Sequence, residues 1–285
     1  MSALVVLQAG LATTAQDLGV RGRAHLGVSR GGAFDARCHA LANLAVGNAV
    51  DAMGLEVVLQ GPHLEARAPC TVAWCGAPFD VDVDGAPLAP LVARALAPGQ
   101  LLRVGRCTAG VRMALAFAGG VVAARGAALA PGASLALGPA PAALRVFTAS
   151  PPTFTGERTR LRVTDSVHTR RFPSTSRAEL AAATFVVDVA SDRRGVRLGG
   201  SLLGVPSGDV TTIGVTAGAL QVTPSGQAVV LGVDRATTGG YPVLAHVIRA
   251  DLWLLGQLRP GASVRFEHVS FEEARRLWRE GDRCG

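Results

Sequence analysis

Short apolar runs and apolar–polar alternation, broken every few residues by glycine or proline, dominate this chain. Leu4-Val5-Val6-Leu7 is an apolar run of strand length. Phe79, Val81 and Val83 alternate with Asp80, Asp82 and Asp84, and Asp84-Gly85 supplies the dipeptide of a two-residue hairpin turn. Glu56 to Gln60, closed by Gly61-Pro62, and Val72 to Trp74 read as further strands. So do Leu101 to Val104, Met113 to Phe117, Leu144 to Phe147 and Phe185 to Val189. Ala219 to Val222, Ala228 to Val233 and Ser263 to Phe266 continue the series. Many short strands with turn residues between them predict a mainly β chain of barrels or sandwiches.

Helix signals are few. Asp35 is placed to cap a helix running to Val46 and stopped by Gly47-Asn48, with Cys38, Leu41, Ala42 and Ala45 on its buried face. Ser176 with Glu179, and Ser270 with Glu273, have capping-box spacing. Ile248, Leu252 and Leu255 predict a helical turn between residues 248 and 258. The stretch from Thr148 to Thr164, rich in Ser and Thr and holding Pro151-Pro152, reads as a linker. A boundary near it divides the chain into residues 1–150 and 151–285, each of ordinary domain size.

Composition sharpens this picture mainly by what it lacks. The 28 cationic residues are all Arg, with no Lys. That excludes a Walker-type phosphate loop, a Schiff-base lysine and a biotinylated lysine on this chain. The net charge of +7 and pI near 10.3 raise the question of nucleic acid. The arginines are scattered, however, without a basic and aromatic stripe, so no nucleic-acid partner is expected. Five Cys without a CxxC pair read as free thiols in a reducing compartment. The amino terminus lacks a basic leader, and no apolar run approaches the roughly 18 residues of a membrane span. A cytoplasmic protein with no membrane contact is expected. The six His are dispersed, with no HExxH, so no metal is expected.

Three segments invite a chemical reading. Gly27-Val28-Ser29-Arg30-Gly31 matches a nucleophile-elbow pattern, but the helix signal begins only at Asp35, too late for an elbow. Gln16 to Asp35 mixes glycines, arginines, two carboxylates and a carboxamide, a composition unable to build a core and suited to bringing backbone N–H groups to a ligand. Asp35 serves either as a helix cap or as a ligand contact. Asp234 to Pro242 follows an apolar strand and offers a carboxylate, a guanidinium, two hydroxyls, two flexible amides and the sole Tyr of the chain. Polar variety on this scale exceeds what a turn needs and suits a small polar ligand with an amide and an anionic end.

These residues carry a resemblance over nearly the whole chain. Gln16-Asp17-Leu18-Gly19, Ala42-Asn43, Val46-Gly47-Asn48, Ser191-Asp192-Arg193, Gly218-Ala219-Leu220-Gln221-Val222 and above all Asp234-Arg235 with Thr237-Thr238-Gly239-Gly240-Tyr241-Pro242 resemble the allophanate hydrolase subunit 2 group. That group includes the C component of bacterial 5-oxoprolinase and the biotin-dependent carboxyltransferase domain of urea carboxylase. The resemblance implies two cyclophilin-like β-barrel domains with a few short helices. It implies a subunit of an ATP-dependent 5-oxoprolinase complex that opens 5-oxo-L-proline to L-glutamate. The partners would be the first subunit of the same system and a lactam-utilisation-type third subunit, with ATP used by the complex.

One alternative within the group is a carboxyltransferase subunit, with biotin borne on another chain. Another is a non-catalytic, partner-binding regulator. Catalytic roles would fall to Asp234, Arg235 and Tyr241. Asp234 would orient Arg235 or transfer a proton, and Arg235 would steady anionic charge. Substrate binding would fall to Gln16, Asp17, Arg21, Asp35, Gln221, Thr237, Thr238, Gly239 and Gly240. The chain departs from the group at Val20, where Arg is usual and Arg21 follows one step later. It departs again after Gly119-Gly120, where a longer loop is replaced by Val121 to Gly132.

Overall fold

The apolar run at the start of the chain lies in the strand Ser2–Gln8, where Leu4 and Val6 are fully buried. This strand pairs antiparallel with His63–Ala66 on one side and Ser134–Leu137 on the other. The computed structural model describes residues 2–141, 149–152, 158–201, 203–206 and 210–282. By its internal contacts the chain forms two units: Met1–Gly19 with Asp35–Phe154, and Val20–Phe34 with Thr155–Cys284.

Among the described residues, the first unit contains a seven-stranded and a five-stranded sheet. At the middle of the second sheet, Arg112–Phe117 lies antiparallel to both Gly54–Val58 and Cys70–Gly76. Leu4 and Val6 from one sheet and Leu55, Val57, Leu115 and Phe117 from the other share one core. Alternation decides the faces: Phe79, Val81 and Val83 are buried while Asp80 is exposed. Asp84 and Gly85 then turn with φ of 52° and 81°, the positive pair that a two-residue hairpin requires. Helix α1, Ala36–Ala45, is capped by the Asp35 carboxylate, which accepts the Cys38 N–H at 2.9 Å. Its buried face, Cys38, Leu41, Ala42 and Ala45, packs with Ala73, Cys75, Ala114 and Ala116. Small residues on both sides let helix and sheet approach closely.

The second unit is built on a closed barrel of seven strands among the described residues. Around the barrel the order is Arg158–Asp165, Val243–Val247, Ala219–Val222, Ala228–Leu231, Gly195–Gly199, Phe185–Val187 and Ser263–His268. The last strand returns to the first in parallel, from Arg158 opposite Ser263 to Val163 opposite His268. Closure removes the exposed edges that an open sheet would leave. Leu161, Phe185, Leu198, Leu220, Val230 and Val264 fill the interior, and the rings of Phe185 and Phe266 meet edge to face at 5.5 Å. The mainly β architecture expected from the sequence is the one adopted.

Two expectations change here. Part of the expected linker, Arg158–Asp165, is a barrel strand, because Leu161 and Val163 are wanted in the core. Of the rest of that stretch, residues 149–152 are described, whereas Thr148 and residues 153–157 fall outside the described residues, as do Leu144 to Phe147. Helix α2 is Ser176–Ala182, and its cap position is Thr175, whose Oγ1 bonds to Glu179 Oε1 at 2.6 Å. Ser176 is the first helical residue and is buried, so it cannot serve as the cap. The expected turn after Ile248 is a 3₁₀ turn, Arg249–Asp251, running into α3, Leu252–Leu255. Helix α4, Phe271–Asp282, begins as its sequence predicts, with Ser270 Oγ accepting the Glu273 N–H at 3.1 Å. No helix among the described residues is long and apolar enough to cross a membrane.

Candidate functional site

The most chemically varied segment leaves the barrel at the end of strand Ala228–Leu231. Gly232 follows, its N–H donating to Arg194 O at 2.7 Å. A Cβ on Gly232 would stand 2.2 Å from Arg193 O and 3.0 Å from the Phe34 ring, so only glycine fits. Asp234 is held by Arg193: Nε donates to Oδ2 at 2.6 Å and Nη2 to Oδ1 at 3.3 Å. The same Nη2 donates to Gly32 O at 2.6 Å. Asp234 therefore ties the 193 turn and the 20–34 segment together. It does not orient Arg235, as the sequence suggested, because Arg193 occupies its carboxylate.

Arg235 turns elsewhere. Its Nε donates to Val215 O at 3.2 Å, while its buried Nη1 has no hydrogen-bond partner among the described residues. Burial pushes its pKa below the usual guanidinium value, a sign that the charge is poorly solvated. Next, Thr238–Gly239 pairs with Ile213–Gly214, and Thr237 O accepts the Val215 N–H at 3.0 Å. Gly239 lies directly on Gln221, where an added Cβ would be 2.6 Å from Nε2. Gln221 is buried and donates to Tyr241 O at 3.3 Å. Tyr241 itself is 47% exposed. The structure thus lays the stretch from Arg235 to Tyr241 against Gln221 of barrel strand Ala219–Val222.

A clamp that sequence reading missed holds the far end of this stretch. The Val243 N–H donates to His168 Nδ1 at 3.3 Å, and Ser166 Oγ donates to Val243 O. Thr169 Oγ1 donates to Leu244 O at 2.6 Å. Accepting at Nδ1 requires the neutral ring, and burial followed by the Arg171 charge holds the His168 pKa below its ordinary value. The only sequence signal was a Ser, a His and a Thr within four residues, which nothing local ties to Val243.

The first unit holds the remaining candidates except Arg21, which belongs to the second. Gln16 is buried, with Nε2 donating to Thr14 Oγ1 at 3.1 Å and Oε1 without a hydrogen-bond partner among the described residues. Asp17 is gripped by Arg125, Nε to Oδ1 and Nη2 to Oδ2, both at 2.5 Å. It also accepts the Gly19 N–H at 2.7 Å. The Arg125 bonds, outweighing burial, hold the Asp17 carboxyl below the usual range. Arg125 comes from the loop after Gly120. Asp35 is committed to capping α1. Ser29 follows a 3₁₀ turn closed by Gly27 and precedes no helix, so it forms no elbow. Among the described residues, no group of three or more His, Cys, Asp or Glu is placed to hold a metal.

A family model described as carboxyltransferase domain, subdomain A and B, matches residues 26–125 and 122–268. This chain belongs to the carboxyltransferase-domain family. Among relatives, the C component of the Haemophilus influenzae 5-oxoprolinase is 29% identical over 94% of this chain and 92% of its own length. Its counterpart in the Escherichia coli 5-oxoprolinase is also 29% identical, over 95% of this chain and 93% of its own. The solved Kluyveromyces lactis urea carboxylase superposes with a TM-score of 0.92 at 26% identity. That match covers 99% of this chain and 29% of the much longer carboxylase. The strand-end stretch from Asp234 to Pro242 falls inside the second matched region of the family model.

Proposed function

We propose that this chain is the C component of an ATP-dependent 5-oxoprolinase-type complex, binding the lactam at the Arg235–Tyr241 stretch. The observation that carries the reading is the buried Arg235 Nη1, a charged donor without a partner among the described residues. An unsatisfied buried guanidinium N–H costs free energy unless a ligand accepts from it. 5-Oxo-L-proline offers a carboxylate for Arg235 and an amide for backbone groups at Gly239 and Gly240. The near full-length match to two proteins named as this component of 5-oxoprolinase supports the same assignment.

A lactam carbonyl is a poor electrophile. Transfer of the γ-phosphoryl group from ATP to its oxygen turns it into a good one. Water then adds at that carbon, the C–N bond breaks with the proton going to nitrogen, and hydrolysis of the acyl phosphate leaves L-glutamate and phosphate. With no Lys, this chain lacks the usual nucleotide-gripping residue, and ATP is assigned to a partner subunit. The chain's own part is to bind and orient: Arg235 on anionic oxygen, the Gly239 and Gly240 amides and Thr237 and Thr238 on the lactam, and the Tyr241 hydroxyl as a proton donor. Asp234, held by Arg193, acts as a brace. In the first unit Asp17 and Asp35 are structural, Asp17 paired with Arg125 and Asp35 capping α1.

The test is 5-oxoproline-dependent ADP release by this chain co-purified with its first-subunit and lactam-utilisation-type partners, with each partner and this chain omitted in turn. Turnover should vanish without this chain and fall by about 100-fold in Arg235→Ala. Unchanged turnover in Arg235→Ala would sink the assignment. The fit to urea carboxylase supports a second reading, a carboxyltransferase half serving carboxybiotin on another chain. A biotinylated partner on an avidin blot of native pull-downs would favour it. A tight complex without turnover would instead favour a regulatory binder.

A further inference from the structure

The strand that follows the Asp234 to Pro242 stretch loses a neighbour at its first residue. Strand Arg158–Asp165 pairs with Val243–Val247 only as far as Asp165 opposite Ala245. Continued in register, the ladder would set residue 167 against Val243. Val167 is instead 81% exposed, and the chain goes on into the 3₁₀ turn Thr169–Arg171. The N–H and C=O of Val243 are thereby left without a partner strand on that side. Side chains replace it. His168 Nδ1 accepts the Val243 N–H at 3.3 Å, Ser166 Oγ donates to Val243 O, and Thr169 Oγ1 donates to Leu244 O at 2.6 Å. The two hydroxyls also accept N–H groups of their own turn, from His168 at 3.0 Å and from Ser166 at 2.7 Å, which fixes both of them.

Tyr241 and Pro242 are held from two directions. Strand Ala219–Val222 takes them on one side, where Tyr241 O accepts from the Gln221 amide at 3.3 Å and Pro242 O accepts the Val222 N–H at 3.0 Å. The clamp takes the next residue, Val243. The two holds differ in kind, because an imidazole nitrogen accepts an N–H only while it carries no proton. A proton taken from solvent at Nδ1 leaves two N–H donors facing each other at Val243. We propose that His168 is a positioning residue for the Arg235–Tyr241 site, its neutral ring fixing the Tyr241–Val243 backbone and its protonation releasing it. This role requires that stretch to be the site, but not 5-oxoproline to be the substrate. Burial and then the Arg171 charge favour the neutral ring. Other titratable groups stand on the elements around it. Arg170 is exposed on the same turn, Asp165 is taken up by Arg177 and His268, and His246 on the facing strand is itself kept towards neutral by burial.

Tyr241 is the sole tyrosine of the chain, so ring-13C tyrosine places a single NMR reporter in the purified full-length protein. Its resonance should shift between about pH 8 and about pH 5, well below the phenol's own titration near 10, in step with the imidazole signal of His168. His168→Asn puts an amide oxygen where Nδ1 was, so its tyrosine resonance should match the parent at about pH 8 and stay there on acidification. His168→Leu should show the released resonance throughout, and His246→Asn should titrate like the parent. In the complex, His168→Leu should lower kcat/KM for 5-oxoproline by about tenfold or more, and His168→Asn should restore it to within about twofold. The parent and His168→Asn titrations decide the question even if His168→Leu does not fold.

A tyrosine resonance indifferent to His168 protonation would overturn the proposal. So would a pH response that survives in His168→Asn or disappears in His246→Asn, or a His168→Leu complex as active as the parent. A Tyr241 response that follows His168, with no 5-oxoproline turnover in the parent complex, would leave the role of His168 standing and remove the lactam reading instead.

Discussion

At the scale of single residues, the site depends on atoms that leave no room for a methyl group and on charges already in use. Gly239→Ala would put a Cβ 2.6 Å from Gln221 Nε2 and displace the amide that holds Tyr241 O. Its expected effect is a fall of about tenfold or more in kcat/KM of the reconstituted complex, equivalent to about 1.4 kcal/mol. The melting temperature of the chain should move little, because the glycine sits on the outer wall and not in the core.

Asp17 has a different signature. Its folded pKa lies below the unfolded value of about 3.9, so the Arg125 pair stabilises fully above that pH. That stability is lost as pH falls through the lower, folded value. Asp17→Asn should therefore lose about 1 kcal/mol at neutral pH and show a flatter stability curve below about pH 4, read by denaturant unfolding across pH. An acid limb as steep as the parent's would contradict the pair.

At the scale of elements, helix starts and hairpin turns were legible because their signals are local. Asp35 and Ser270 both accept the backbone N–H three residues on, as their spacing predicts. Asp35→Ala should cost about 1 kcal/mol through the lost cap, measured by chemical denaturation. If Asp35 served substrate instead, the variant would keep its stability and lose turnover. Strands were less legible where charge interrupts them. Arg158–Asp165 reads as polar, yet Leu161 and Val163 face the barrel interior while Arg160 pairs outward with Glu267. Period-two alternation was present there, hidden by neighbouring Pro, Ser and Thr. The Ser166–His168–Thr169 clamp lay beyond sequence reading because its partners are some 75 residues away.

At the scale of the molecule, the chain does not divide at one point. The 20–34 segment contacts the second unit, and its Phe34 is buried in the barrel core at 4% exposure. A piece of the second half without this segment would lack a core aromatic and the Gly32 acceptor for Arg193. Phe34→Ala should destabilise the second unit by about 3–5 kcal/mol. Hydrogen exchange should show the loss in strands Ala219–Val222 and Ala228–Leu231, with strands of the first unit less affected. Uniform loss of protection in both units would mean that they unfold as one.

The sequence by itself determined the class of structure and the family. Alternation, glycine and proline spacing, capping residues and the Asp234 to Pro242 motif are all short-range properties, readable without a fold. The absence of Lys likewise excludes a Walker-type phosphate loop and a lysine-borne cofactor within this sequence. Only the tertiary structure decided which polar groups are already satisfied. Arg193 takes Asp234, Arg125 takes Asp17 and the start of α1 takes Asp35, while Arg235 keeps a buried donor unpaired among the described residues. Hydrogen-bond partnership is a matter of distance and direction, and residues 41 or 108 apart in sequence meet only once the chain has folded.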